Sequence, residues 1–308
     1  MKIAIIGRTE ILYETIEMLL KNGYKIPLLI TSKEAPEYTK TSSDFEILAN
    51  QIGAKYIFTN KLDEHIEVIK TCGDIDIAVS LNYSSIISQQ VIDLFPLGIL
   101  NAHGGDLPKY RGNACQAWAI LNGEDRIGLC IHSMIGGEVD SGDIIDKEYF
   151  AIDINTKITT VLEWFAQKIP AMFLNSIQKL HINKNYVLEV QSKNPKHSLR
   201  CYPRVPDDGK IDWNKSNLEI LRLINASNKP YDGAHCWHED KKIIIWDAEL
   251  FEDGEIYLAE VGQVASIEND GSIILITGNG KLKINEIEYE GFIGKPKERI
   301  SSIRKRFK

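Results

Sequence analysis

An amide and an imidazole stand two positions apart at Asn101 and His103, straight after the apolar run from Leu97 to Leu100 and before Gly104 and Gly105. If that run is a strand, positions i and i+2 share a face, so both side chains point into one space at its C-terminal end. Ligands sit at such strand ends in open α/β sheets. A carboxylate, Asp140, follows within Gly136-Gly137-Glu138-Val139-Asp140-Ser141-Gly142, where the glycines permit close approach of backbone or ligand. An amide that can donate to an oxygen gaining charge, an imidazole that can take a proton and a carboxylate that can orient it are the parts of an acyl-group transfer. Singly, each has an ordinary structural use, as a packed histidine or as a turn-forming Asn or Asp.

The elements that must position this set follow an alternating order. Lys2 to Ile6 reads as a strand, followed by a helix carrying Ile11, Ile16, Leu19 and Leu20 that Gly23 closes. The intervening IGRTEI has one glycine where a dinucleotide-binding loop shows three, which argues against nicotinamide chemistry. Further strands are expected at Ile26–Ile30, Ala54–Phe58, Ile75–Ser80 and Leu97–Leu100. Between them lie a polar loop, a helix with Ser43 and Glu46 as capping box, a helix over Asp63–Cys72, and one or two helical turns over Ser84–Phe95. After the motif come a helix (Cys115–Leu121), strands (Ile127–Met134 and Ile144–Ile152) and a long helix (Thr159–Leu180) that Pro170 should kink or restart. The order predicts an α/β fold, a mainly parallel Rossmann-like sheet with helices on both faces.

Beyond Ser192 the pattern changes. The stretch up to Gly209 is rich in proline and polar residues and reads as a linker, so the expected organisation is 1–190 catalytic, 191–209 linker and 210–308 a smaller C-terminal domain. Ser216 and Glu219 cap a helix there. Short apolar runs follow at Ile243–Trp246, Glu255–Leu258, Gln263–Ile267, Ser272–Ile276 and Leu282–Ile287, with Asn269-Asp270-Gly271 and Gly278-Asn279-Gly280 as hairpin signals. This half predicts a small β-barrel, OB-like in character. It could recognise substrate, form a homodimer interface or stabilise the fold.

Composition narrows the function. With 36 Lys and Arg against 43 Asp and Glu, the formal charge of −7 argues against general polyanion binding. The basic tail Ser301–Lys308 reads as a solvated segment rather than a nucleic-acid arm. No apolar stretch approaches membrane-spanning length and none begins like a secretory signal, so a cytoplasmic location is expected. Five scattered cysteines, Cys72, Cys115, Cys130, Cys201 and Cys236, indicate free thiols, with neither a disulfide framework nor a metal site. His132, on an apolar strand, reads as structural, as do His65, His181, His197, His235 and His238. Trp164, Trp237 and Trp246 read as core.

The segment Asn101–Asp143 resembles the signature of the folate-dependent formyltransferases. It has the Asn-x-His strand end, the loop Leu107-Pro108-Lys109-Tyr110-Arg111-Gly112, the helix end Trp118-Ala119-Ile120-Leu121-Asn122-Gly123, and Asp140-Ser141-Gly142-Asp143. Asp207–Trp213 and Pro230–Ala234 resemble the start of the C-terminal domain of methionyl-tRNA formyltransferase and its relatives. The resemblance implies transfer of a formyl group from N10-formyltetrahydrofolate, a co-substrate, to a primary amine. Asn101 would donate to the oxygen that becomes anionic, His103 would take or relay the amine proton or polarise the formyl oxygen, and Asp140 would orient His103. Folate would lie along Leu81, Asn82, Tyr83 and Ile86, along Leu107, Arg111 and Gly112, and along Gly136 and Gly137. Arg111 reads equally well as a salt-bridging loop residue.

The acceptor is open to more than one reading. Methionyl-tRNA formyltransferases typically carry a basic insertion after the second strand, whereas Lys33–Lys40 has charges that cancel. His103 is followed by Gly104-Gly105-Asp106 where the tRNA enzymes usually have Pro-Ser-Leu or Gly-Ser-Leu, which suggests an amino-bearing small acceptor at Gly105 and Asp106. The sequence is similar to the sugar N-formyltransferases, implying a nucleotide-linked amino deoxysugar of surface glycan synthesis as substrate and nucleic acid as an improbable partner. Arg8, Lys109, Arg200 and Arg204 are candidates for the diphosphate. A methionyl-tRNA formyltransferase, a formyltetrahydrofolate hydrolase and an inert scaffold that keeps the sheet are the alternatives.

Overall fold

A computed structural model describes all residues from Met1 to Lys308. By their contacts the residues form two units that interleave along the chain. One contains Met1–Gly112, Ile127–Phe150 and Glu163–Cys201, and the other contains Asn113–Arg126, Ala151–Leu162 and Tyr202–Lys308.

The first unit is built on a seven-stranded sheet. Its strands are β1 (Lys2–Gly7), β2 (Lys25–Thr31), β3 (Lys55–Phe58), β4 (Ile77–Leu81), β5 (Ile99–His103), β7 (Arg126–Ser133) and β8 (Ile144–Ala151), in the order β3-β2-β1-β4-β5-β7-β8. β6 (Arg111–Gly112) lies apart and pairs in parallel with β9 (Arg200–Cys201). β1 is parallel to β2 and β4, and β4 to β5, whereas β7 runs antiparallel to β5. The sheet is therefore α/β and mainly parallel, with its order reversing between β1 and β4. The apolar runs Ile3–Ile6 in β1 and Ile77–Val79 in β4 make these buried strands, as parallel sheets covered on both faces require. Helices α1 (Glu10–Lys21), α2 (Ser42–Ile52), α3 (Ile66–Lys70) and α4 (Gln89–Ile92) connect the parallel strands.

Several local expectations are corrected. The capping box of α2 is formed by Thr41 and Asp44, two residues before Ser43 and Glu46, because Asp44 is the side chain that reaches back to the Thr41 backbone N–H. The helical turn before Pro96 shrinks to the four residues of α4. Pro170 lies inside an unbroken helix, α6 (Ile158–Ile182), rather than restarting it.

The second unit contains α5 (Cys115–Asn122), α7 (Asn217–Ala226) and an antiparallel sheet of β10 (Ala234–His238), β11 (Lys241–Phe251), β12 (Val264–Ile267), β13 (Ile273–Ile276), β14 (Lys281–Tyr289) and β15 (Phe292–Gly294). α7 starts at the expected Ser216–Glu219 capping box. Glu255–Leu258 forms no strand. Tyr257 donates its hydroxyl to the Gly280 carbonyl while Ile256 and Leu258 are fully exposed. The tail keeps Arg304, Arg306 and Lys308 exposed, as expected of a solvated segment, but its backbone is paired: Lys308 and Trp237 exchange backbone hydrogen bonds of 2.8 Å each, and Phe307 N–H donates to the Gly262 carbonyl at 2.8 Å. The tail thereby links β10 to the segment entering β12, the two ends of the strand order, and buries Phe307 in the unit's core.

Candidate active site

β5 delivers Asn101 and His103 at its C-terminal end, and its antiparallel register with β7 sets His132 directly opposite Asn101. The Asn101 Nδ2 lies 3.3 Å from His132 Nε2. His132 Nδ1 lies 2.8 Å from the carbonyl of Ser133. A carbonyl can only accept, so Nδ1 carries the proton and Nε2 presents its lone pair to the Asn101 amide. Sequence reasoning placed His132 among structural histidines. Its recruitment to the cluster depends on strand register, which no local motif discloses.

Asp140 joins them from the loop between β7 and β8. Its Oδ2 is 3.4 Å from His103 Nδ1 and its Oδ1 is 3.4 Å from His132 Nε2. The Gly112 N–H donates to Asp140 Oδ2 at 2.9 Å. Asp140 has φ 50°, left-handed backbone that Asp and Asn tolerate better than most residues. Burial pushes its carboxyl up, but His103 and His132 in their charged forms, with the Gly112 N–H, outweigh burial and hold it well below the usual carboxylate range.

His103 is buried, and burial draws its pKa below the ordinary value against the opposing pull of Asp140 and of the Tyr110 carbonyl. Its Nε2 lies 2.7 Å from that carbonyl. Gly105 makes this approach possible: a Cβ there would stand 2.3 Å from the Tyr110 oxygen and 2.6 Å from His103 Nε2. The glycine therefore serves the fit of the loop around His103.

The other candidates separate. Asp106 is paired with Lys147 at 2.9 Å, and Lys147 also donates to the Leu107 carbonyl at 2.8 Å. The Asp106 carboxylate, expected beside an acceptor amine, is engaged by Lys147. Lys109 is exposed, its Nζ 5.9 Å from the Tyr110 ring. Arg8 donates to the carbonyls of Asn82 and Lys33 and lies over Tyr38. Arg200 is exposed on β9, opposite Arg111. Arg204 belongs to the second unit, where it donates to the Asp208 carbonyl and the Ser227 hydroxyl.

Among the folate candidates, Leu81 and Leu107 are buried and Ile86 is exposed. The Asn82 amide donates to the Tyr38 hydroxyl, and the Tyr83 hydroxyl donates to the Thr59 carbonyl, with burial pushing its pKa up to about 12. Arg111 Nη2 donates to Gln191 Oε1 at 2.9 Å, while its buried Nε has no partner. Gly112 has φ 107° and packs on the Cys201 carbonyl, where a Cβ would come within 2.4 Å. Gly136 donates its N–H to Gln89 Oε1, and Gly137, at φ 74°, faces open space. No group of His, Cys, Asp and Glu residues could hold a metal ion.

An α/β sheet with an amide, two imidazoles and a carboxylate gathered at a strand end brings together groups that group transfer can use. Residues 1–177 match the formyl transferase family and residues 205–303 its C-terminal domain, and the chain belongs to this family of formyl-transferring enzymes. It is 31% identical over 256 residues to the bifunctional polymyxin resistance protein ArnA of Wigglesworthia glossinidia brevipalpis, a match covering 81% of this chain but only 38% of that protein. It is 26% identical over 297 residues to the methionyl-tRNA formyltransferase of Desulfotalea psychrophila, covering 94% of this chain and 89% of that one. Among solved structures, WlaRD, a sugar 3N-formyl transferase crystallised with dTDP and 5-N-formyl-THF, shares the fold at a TM-score of 0.68 and 22% identity, covering 95% of this chain and 98% of that one. The N-formyltransferase of Helicobacter canadensis, solved with folinic acid and dTDP-3-aminofucose, does so at 0.66 and 21%, covering 92% and 98%. No helix is long and apolar enough to cross a membrane.

Proposed function

We propose that the chain transfers a formyl group from N10-formyltetrahydrofolate to the primary amine of a nucleotide-linked amino deoxysugar. The observation that carries the chemistry is the Asn101–His132–Asp140–His103 cluster at the C-terminal end of β5. As the amine attacks the formyl carbon, Asn101 donates to the oxygen that gains charge, a role commonly worth about 2.7–4 kcal/mol. In the structure His103 Nε2 carries a proton against the Tyr110 carbonyl, so the step requires the acceptor amine to displace that carbonyl and the ring proton to sit on Nδ1, toward Asp140; Nε2 then takes the proton that the amine sheds and returns it to the leaving nitrogen. Asp140, ionised, favours the imidazolium formed in between.

The acceptor assignment is supported by charge. The loop after β2 carries Lys33 and Lys40 against Glu34 and Glu37, on a protein of net charge −7, a poor surface for an RNA backbone. The solved relatives named for sugar substrates, of nearly equal length, are consistent with it. The experiment is a formyl-transfer assay with purified nucleotide-linked amino sugars beside aminoacylated initiator tRNA. Transfer to a sugar amine is expected. Transfer to the tRNA alone favours the second reading, methionyl-tRNA formyltransferase, to which the match over 94% of this chain points. Release of formate at the full turnover rate without any acceptor would identify a hydrolase.

A further inference from the structure

After α6 the chain does not simply leave the first unit. Leu188 N–H donates to the Ile144 carbonyl at 2.8 Å, Ile144 N–H to the Glu189 carbonyl at 2.9 Å, and Arg111 N–H to the Leu199 carbonyl at 2.9 Å, before β9 pairs with β6. This strap crosses the loop before β8, which carries Asp140, and the Arg111–Gly112 strand, whose Gly112 N–H donates to the Asp140 carboxylate.

Gln191 sits at its centre, 1% exposed. Its Nε2 donates to the carbonyls of Asp140 at 3.1 Å and Gly142 at 2.5 Å, and its Oε1 accepts from Arg111 Nη2 at 2.9 Å. Its backbone N–H donates to Asp143 Oδ1 at 3.1 Å. Both amide hydrogens and the amide oxygen are therefore used, which is what a buried carboxamide requires. One contact is made to Asp140 itself, and another to the residue beside Gly112, the backbone donor to Asp140 Oδ2.

We propose that Gln191 is a positioning residue for Asp140: it fixes the left-handed backbone that aims the carboxylate at His103, and it holds the Arg111–Gly112 strand against the same carboxylate. Apolar substitution leaves the Asp140 and Gly142 carbonyls without this donor and Arg111 with only the Ser192 carbonyl, 3.5 Å away, so the loop relaxes and Asp140 drifts from the imidazole. The inference rests on the reading above in which Asp140 acts through His103.

The test compares Gln191→Leu and Gln191→Glu with the parent enzyme and with Asp140→Asn. Gln191→Glu keeps an acceptor for Arg111 but as a carboxylate has no hydrogen for the two carbonyls, so it isolates the Asp140 arm. Both variants are expected to lose about 10- to 100-fold in kcat, the scale of a small misplacement of a catalytic group, with KM for the formyl donor little changed. In an Asp140→Asn background, Gln191→Leu should lower the residual rate by less than about twofold, because the coupled partner is already disabled. The second readout needs no substrate: the imidazole of His103 is titrated by NMR, and Gln191→Leu should shift its pKa downward, as Asp140→Asn does, while Gln191→Glu is read by kcat alone because its added carboxylate itself favours the charged ring. An equal loss in both backgrounds, or a His103 titration unmoved in Gln191→Leu, overturns the proposal and leaves Gln191 as an anchor of the strap. Should Gln191→Leu not fold, Gln191→Glu decides by its kcat, compared alone and in the Asp140→Asn background. If the parent transfers formyl to no amine, the functional reading fails, and the titration still decides the positioning role.

Discussion

Asn101 and His132 face each other across β5 and β7, with the amide nitrogen 3.3 Å from an imidazole nitrogen whose ring partner donates to the Ser133 carbonyl. This chain of donors fixes which end of the Asn101 carboxamide is the nitrogen. One N–H of the amide goes to His132, leaving the other for an oxygen in the site. Replacing Asn101 by Ala removes that donor and is expected to reduce kcat by about 10²–10³-fold. Steady-state formyl transfer at saturating donor measures it, and a loss confined to KM would contradict the role.

The rate should fall in acid as His103 gains its proton. Burial holds its pKa below the ordinary value of about 6.5, so the acid limb of kcat/KM is expected below that pH. Asp140 opposes burial by favouring the charged ring. Asp140→Asn therefore moves the limb to lower pH while the plateau drops. A limb above the ordinary histidine range would remove His103 from the role of base.

Folding stability carries the same sign. His103 is depressed in the folded state, so its contribution is complete above about 6.5 and is lost as the pH falls through the folded value. Asp140 is depressed too, and its contribution is present above about 3.9 and lost below. Urea midpoints should decline from pH 8 to pH 5, with a shallower decline in His103→Gln.

Gly105→Ala places a methyl group between the Tyr110 carbonyl and the His103 ring, 2.3 and 2.6 Å from atoms that cannot retreat without moving the loop. Overpacking of this kind typically costs 1–3 kcal/mol. Displacement of the imidazole is expected to reduce kcat by about 100-fold. Equal activity with an unchanged melting point would show that the loop is slack.

Phe307→Ala should cost about 3–5 kcal/mol of stability, the usual loss for a buried phenylalanine. The residue is fully buried among Trp213, Ile300 and Val264. Denaturant unfolding followed by tryptophan fluorescence checks it, and a loss near zero would mean that the tail is only laid on the surface.

Much of this arrangement is legible in the sequence. Asn101 and His103 lie two positions apart at the end of an apolar run, and Asp140 sits in a glycine turn, so local pattern locates all three. His132 and Gln191 escape such reasoning for different reasons. The first is brought in by antiparallel register between strands separated by a helix. The second follows a 25-residue helix in a polar stretch with the composition of a linker. The partner of Asp106 is equally hidden, because Lys147 stands forty-one positions on. Glu255–Leu258 has the alternation of a strand but no neighbour to pair with.

The interleaving of the two units bears on protein engineering. α5 packs on α7, Asn225 donates to the Ile154 carbonyl, and Lys157 pairs with Asp247. A chimera made by exchanging only the residues after Cys201 would strip the graft of these inner-lying partners and leave mismatched apolar faces on both halves. A working exchange has to move Asn113–Arg126 and Ala151–Leu162 together with Tyr202–Lys308.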